Sequence, residues 1–339
     1  MSTSSVSDGI LKFATQYSFY SGFILFSFGV IGNVLNLLVF IQLKLFRTNR
    51  CAFYITIESI FNFIYQFVYI SLTVLISIYG DDATERFFIW CKLRYILGQT
   101  CGLITFYMIC FSAVDQFFST NHHFHLRQMC TLKLGRYFAF IFICFAIIHS
   151  IALGSSYNIQ PTLGCTISNY VAIQYSTFFF YPVLIGFLPI VIASTFSVLA
   201  YYNVRRIVRR QLPIVRRKSD KQITAMVLMR VIIFVCSVSP FDAYRIYSIY
   251  VPTSQSMPMA YAIGRLIQTV FAFINSMNSV ISFYVFIIFS SRFRRQVQSV
   301  LVKIRWQRWK YWCCLINNQI DPNNNTELRN SQMKSEENI

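Results

Sequence analysis

Three kinds of residue in this chain could do chemistry. His122, His123 and His125 form a His-His-x-His group, and imidazoles at that spacing can ligate a metal. No acid or cysteine stands directly beside them, so a partly protonated loop is the competing reading. Glu58, Asp115 and Asp242 are acids inside or at the ends of apolar runs. They fall at different depths, do not converge, and make no acid–base pair, so no enzyme is expected. Asp242 and Arg245 are three apart and share a helix face, as a self-contained ion pair or as groups offered to a ligand. Zinc spacings, Gly-rich phosphate loops and Walker sequences are missing, and no cofactor is implied.

The elements that position these groups are apolar. Of 339 residues, 55% are hydrophobic and 12% charged, against roughly 25% charged in a soluble domain. A soluble helical protein would show polar stripes at helical spacing, and here only scattered polar residues interrupt the runs. A helix needs ~20 apolar residues to cross a ~30 Å hydrocarbon core. Seven runs meet this: Phe19–Leu43, Ala52–Tyr79, Cys91–Phe117, Leu134–Tyr157, Gln174–Val204, Ile223–Tyr250 and Ala260–Phe289. The expected fold is an all-α membrane protein, a bundle of seven membrane helices with a short amphipathic eighth. Residues 1–18 are Ser-rich and expected to be flexible, 19–289 form the bundle, 290–314 the amphipathic helix, and 315–339 a disordered tail. The start, MSTSSVSDGI, lacks a basic region before an apolar one, so no signal peptide is expected and the first span serves as targeting signal.

The net charge of +18 would fit nucleic acid, but its placement argues against that. Lys and Arg cluster at alternate ends of the runs, as positive-inside sorting requires. With the N-terminus outside, only Lys12, Arg86, Lys92 and Arg94 lie outside or near that face. Arg245 and Arg265 sit in helices near it, Arg230 sits near the inner face, and the remaining basic residues are cytoplasmic. The loop holding Arg205, Arg206, Arg209, Arg210, Arg216, Arg217, Lys218 and Lys221 is dense enough to attract anionic membrane lipid.

The order of motifs resembles rhodopsin-like G-protein-coupled receptors. Gly32-Asn33 resembles the family's Gly-Asn pair in helix one. Cys91 opens the third span, and Asp115-Gln116-Phe117 closes it where the family has Asp-Arg-Tyr. Cys236-Ser-Val-Ser-Pro240-Phe241 resembles Cys-Trp-x-Pro without its tryptophan. Asn278-Ser279 matches the start of Asn-Ser-x-x-Asn-Pro-x-x-Tyr, with Ser282, Phe283 and Phe286 at the later positions. Phe293-Arg294 resembles the start of the eighth helix. Trp306, Trp309 and Trp312 there suit a membrane surface, and Cys313-Cys314 suits palmitoylation. Pro189 lies near the family's proline in helix five. The fourth span has no tryptophan.

This resemblance implies a receptor in the plasma membrane, N-terminus outside, coupling an extracellular ligand to a heterotrimeric G protein. It implies a disulfide between Cys91 and Cys165, pinning the second outer loop. The ligand would sit among the outer halves of helices three, five, six and seven, where Arg94, Tyr95, Gln99, Asp242, Arg245, Arg265 and Gln268 are on offer. Gly98 stands where amine receptors have an aspartate, which argues against an amine, and the positive groups favour an anionic ligand or a peptide. G-protein coupling would use Asp115, Gln116, Phe117, Arg205, Arg206, Lys221, Arg230, Arg292 and Arg294. Asp115, without its arginine, is expected to pair with Arg127 or Lys133. Asn62 stands at the family's sodium-binding aspartate, and a neutral amide makes that cation site weak. Glu58 is expected to meet a loop cation, and His149 to be a satisfied polar group between helices. A transporter or channel is the alternative class. It would show inverted repeats and ionisable groups along a mid-membrane path, and no internal repeat is visible.

Overall fold

The computed structural model describes residues 3–42, 50–79, 87–121, 123–129, 131–160, 164–209, 214–250, 257–291 and 293–303. Cys313, Cys314, the three Trp of the tail, Arg292 and His122 lie outside them, and the side chain of Lys221 is likewise outside. The chain divides into two units, Met1–Ser291 and Arg292–Ile339.

The first unit is almost wholly helical. Helix α1 is Thr3–Gln42, α2 Arg50–Tyr65 and α3 Ser71–Tyr79, with a π-helical turn, Gln66–Ile70, joining the last two. Then come α4 Phe88–Thr120, α5 Phe124–Met129 and α6 Leu132–Gly154. A hairpin of β1 Tyr157–Gln160 and β2 Gly164–Ile167 follows, antiparallel, with Ile159 opposite Cys165. Beyond it lie α7 Tyr170–Tyr175, a π-helical stretch Ser176–Phe187, α8 Leu188–Arg209, α9 Ile214–Tyr250, α10 Pro258–Met277 and α11 Ser282–Phe289. In the second unit, 293–303 are helical.

Among the described residues six helices are long and apolar enough to cross a membrane, or seven if the bent pair α10–α11 is one span. By that measure the chain is an all-helical, multi-pass membrane protein. Its outward faces are apolar, as lipid-facing helices must be: Phe140 is 66% exposed and Ile148 68%. The first 18 residues differ from expectation, since α1 is already helical from Thr3. The fourth span ends at Gly154, so Tyr157 belongs to the hairpin instead.

Helix α4 is the central post. Its apolar window is 72% buried, and it packs on α2, α6, α8 and α9. Leu103, Ile104, Met108, Ile109 and Ala113 carry the core against Phe180, Phe234 and Val238.

Two distortions are explained by backbone hydrogen bonding. In the π-helical stretch, Leu188 N–H bonds to Val183 O, five residues back. On that pattern Leu184 O would await residue 189, which is proline and has no N–H. The hydroxyl of Tyr107 on α4 donates to Leu184 O instead, at 3.2 Å. The second distortion is the 54° bend between α10 and α11 at 278–281. No proline stands there. Tight i→i+3 bonds do the turning: Asn278 N to Asn275 O, Ser279 N to Ser276 O and Val280 N to Met277 O, at 3.0–3.1 Å. The released carbonyls find side-chain donors. Asn33 Nδ2 bonds to Ser279 O at 3.0 Å, and Arg230 Nη2 to Asn278 O at 2.9 Å. This is where the Gly-Asn pair of α1 and the Asn-Ser of α10 meet. By contrast, α9 continues as one helix through Pro240.

Candidate functional site

The bundle holds a cavity of about 590 Å³. At one end its wall is the β-hairpin, through Tyr157, Cys165, Thr166 and Ile167. Cys165 is disulfide-bonded to Cys91 at the start of α4, with Cα atoms 5.7 Å apart, so the hairpin is tied to the central helix. Tyr157 stacks on Tyr95 of α4 with ring centroids 3.9 Å apart. Burial holds the Tyr157 phenol above its usual pKa, so it faces the cavity as a neutral hydroxyl.

Helix α4 presents Tyr95, Gly98, Gln99, Gly102, Thr105 and Phe106 at helical spacing, a single stripe down the cavity. Helix α10 presents Gln268, Ala272, Asn275 and Ser276 in the same way. Tyr95, Gln99, Arg245 and Gln268 are therefore brought together as the sequence implied. Arg94, Asp242 and Arg265 are not on the wall. Arg94 is half-buried on α4, and Arg265 lies exposed one turn beyond Gln268. Asp242 is rotated about 100° from Phe241 by the helical repeat, and its carboxylate turns to α8's approach, where Gly186 leaves room. A Cβ on Gly186 would stand 2.5 Å from Asp242 Oδ2. Neither carboxylate oxygen of Asp242 has a hydrogen-bond partner, so of the two readings of the Asp242–Arg245 spacing the self-contained, hydrogen-bonded ion pair is not formed. Arg245 lies over the ring of Tyr181 instead, 3.3 Å from its centroid.

The far wall is made of amides. Asn62, Asn275 and Asn278 line it, and Thr105 Oγ1 bonds to Asn62 Oδ1 at 3.0 Å. Asn62 Nδ2, Asn275 Oδ1, Asn278 Nδ2 and both amide atoms of Gln99 are buried with no protein partner.

Behind Asn278 lies a buried ion pair. Arg230 on α9 donates to Glu58 Oε1 on α2 from Nε at 3.1 Å and Nη2 at 2.6 Å, and also bonds Asn278 Oδ1. Ser282 on α11 donates to the same Glu58 oxygen at 2.8 Å. Glu58 and Arg230 are 2% and 3% exposed. This corrects two expectations. Arg230 is not part of an exposed basic face, and Glu58 meets a helix cation rather than a loop one. Charges in a low-dielectric interior must be paired, and these are.

At the end of α4 remote from the hairpin, Asp115 pairs with Arg50 of α2 at 3.3 Å, a partner not expected from the sequence. Gln116 is buried. Its Nε2 donates to Thr224 Oγ1 on α9 at 2.6 Å, and its Oε1 accepts from Cys51 at 3.3 Å. Phe117 packs edge-on against Phe196 of α8. Arg205 and Arg206 are exposed on α8, and Arg294 is exposed in the 293–303 helix. His149 Nε2 lies 2.7 Å from Tyr175 Oη, an interhelical pair, but its Nδ1 is buried without a partner, so the expected satisfaction holds at one ring nitrogen only. His123 and His125 are exposed, and among the described residues no three His, Cys, Asp or Glu gather as a metal site.

The sequence reading passed over Tyr157, Tyr181 and Asn275. The signal for Asn275 was helical spacing, seven residues on from Gln268, whereas Tyr181 shares its helix with none of the chosen residues. Tyr157 had none, since it reaches the site only through the hairpin.

No protein-family model matches the chain, and no curated protein is detectably similar to it.

Proposed function

We propose that the chain is a divergent rhodopsin-like G-protein-coupled receptor, crossing the plasma membrane seven times with its N-terminus outside. An extracellular ligand enters the cavity beside the hairpin. The Asp115–Gln116–Phe117 end, with Arg205, Arg206 and Lys221, engages a heterotrimeric G protein and anionic membrane lipid. The 293–303 helix begins the amphipathic eighth helix, which Cys313 and Cys314 anchor by lipidation. The observation that carries this reading is the division of labour along α4. One end is tied by Cys91–Cys165 to a hairpin over a 590 Å³ cavity, and the other holds Gln116 against Thr224 of α9. A cavity of that size suits a small molecule or the end of a peptide. Arg245 is the charged side chain on its wall and makes no hydrogen bond or close ion pair with a carboxylate among the described residues, which favours an acidic ligand.

A transporter is the second reading. The 54° break within α10–α11 and the buried Glu58–Arg230 pair favour it, since transporters use broken helices and mid-membrane charges. Against it, the charges are satisfied by one another and by Asn278 and Ser282.

A screen of small acids and peptides on cells expressing the chain, read by second messengers and by solute uptake in parallel, tests the choice. A receptor gives ligand-dependent messenger changes without uptake. Uptake without a messenger response overturns it.

A further inference from the structure

The amide wall is the least explained surface in the bundle. Amides buried without partners carry a desolvation cost, which a bound group would relieve. The orientation of Asn278 is fixed by chemistry. A guanidinium only donates, so the atom facing Arg230 must be Oδ1, and Nδ2 is left as a free donor on the cavity wall. Asn62 offers a second free Nδ2, and Asn275 a free acceptor, Oδ1. Asn275 is in the last turn of α10 and Asn278 follows in the i→i+3 turn, where residues three apart stand one above the other. Free donors and a free acceptor together match a hydroxyl, which accepts and donates. A carboxylate there would lose its hydration with no cation in reach, since Arg230 is already engaged by Glu58.

The other end has the opposite character. Arg245 lies in the hairpin half of the wall with Tyr95, Tyr157 and Tyr181. From Tyr95 to Thr105 the stripe on α4 runs ten residues, which is about 15 Å of helix. Between the ends α4 presents Gly98, Gly102 and the amide of Gln99, and Phe180, Ile185 and Phe241 add apolar wall.

We propose that the cavity takes a slender, two-ended small molecule, with an acidic group at Arg245 and a neutral hydroxyl on the Asn62–Asn275–Asn278 wall. The hydroxyl end touches the Asn278 amide whose other atom holds Arg230, so ligand contact reaches the buried ion pair through one side chain. This rests on reading the chain as a ligand receptor, but its test needs no G protein.

Saturable binding to the full chain in lipid nanodiscs is measured for 10-hydroxydecanoate, decanoate and 1-decanol. One added hydrogen bond of about 1–1.5 kcal/mol gives roughly tenfold in affinity. So 10-hydroxydecanoate should bind about tenfold tighter than decanoate, and decanol weakest. Asn62→Leu should erase the preference for the hydroxyl and leave decanoate unchanged, while Arg245→Gln should weaken both acids and leave decanol unchanged. Asn275→Ala gives the same readout as Asn62→Leu should the latter fail to fold. Equal affinities for the two acids, a preference that survives both amide variants, or no saturable binding, which would leave the wall to solvent alone, each overturn the proposal. Nucleotide exchange that persists alongside such a failure leaves the receptor reading standing.

Discussion

Arg230 and Glu58 are 172 residues apart in sequence, yet a guanidinium nitrogen of one lies 2.6 Å from a carboxylate oxygen of the other, out of solvent. The pair joins α9 to α2, and through Asn278 and Ser282 it joins both to the bend between α10 and α11. Any outward movement of α9 must break or carry this joint.

Removing one partner leaves a buried charge uncompensated, at about 3–5 kcal/mol. Glu58→Leu and Arg230→Met should therefore each lower the thermal midpoint strongly. The double variant should lose much less than the sum of the two, as thermal unfolding in nanodiscs would record. Additive losses would mean that the two groups do not act on each other.

The disulfide gives a second expectation. Alkylation of the unreduced protein should leave both Cys91 and Cys165 unlabelled in mass mapping. Opening a bridge across 74 residues should cost about 2–4 kcal/mol, so reduction lowers the thermal midpoint and loosens the hairpin from the cavity. Two alkylated thiols before reduction would contradict this.

Gly186 and Asp242 provide a packing test. A methyl at Gly186 meets the carboxylate of Asp242, and overpacking costs about 1–3 kcal/mol. Gly186→Ala should destabilise the protein, and adding Asp242→Ser should recover most of the loss. If the second change does not help, the contact is not the cause.

The bundle was legible because hydrocarbon thickness fixes the length of an apolar run, and these runs are uninterrupted. The charge asymmetry and the cysteines at loop ends were equally plain. What failed was azimuth. Asp242 and Arg265 were chosen by depth, but a single residue of helical rotation carries Asp242 from Phe241's face to Gly186's. Partner choice was incomplete for a related reason. Asp115 was matched to cations near in sequence and Arg50 was missed, although it reaches Asp115 because α2 packs on α4. Glu58 and Arg230 could have been paired on principle. Each is an ion inside an apolar helix, and such ions find each other. The bend at 278–281 had no proline to announce it.

On the proposed receptor reading, Gln116 bears on resting activity. It holds Thr224 by a neutral hydrogen bond, and the ion pair deeper in the bundle supplies the charge. Gln116→Arg should leave ligand-driven signalling present and change mainly its basal level, measured as second messenger with and without an active ligand from the screen. A silent wild type revived by Gln116→Arg would show that the lock is not elsewhere.

Guanine-nucleotide loading onto purified heterotrimeric G proteins by the chain in nanodiscs is the most direct measurement. Wild type should accelerate exchange on at least one G-protein class, and Glu58→Gln, which weakens the joint between α2 and α9, should raise the rate without added ligand. No exchange with any class from either protein, together with solute flux in proteoliposomes, would contradict the account.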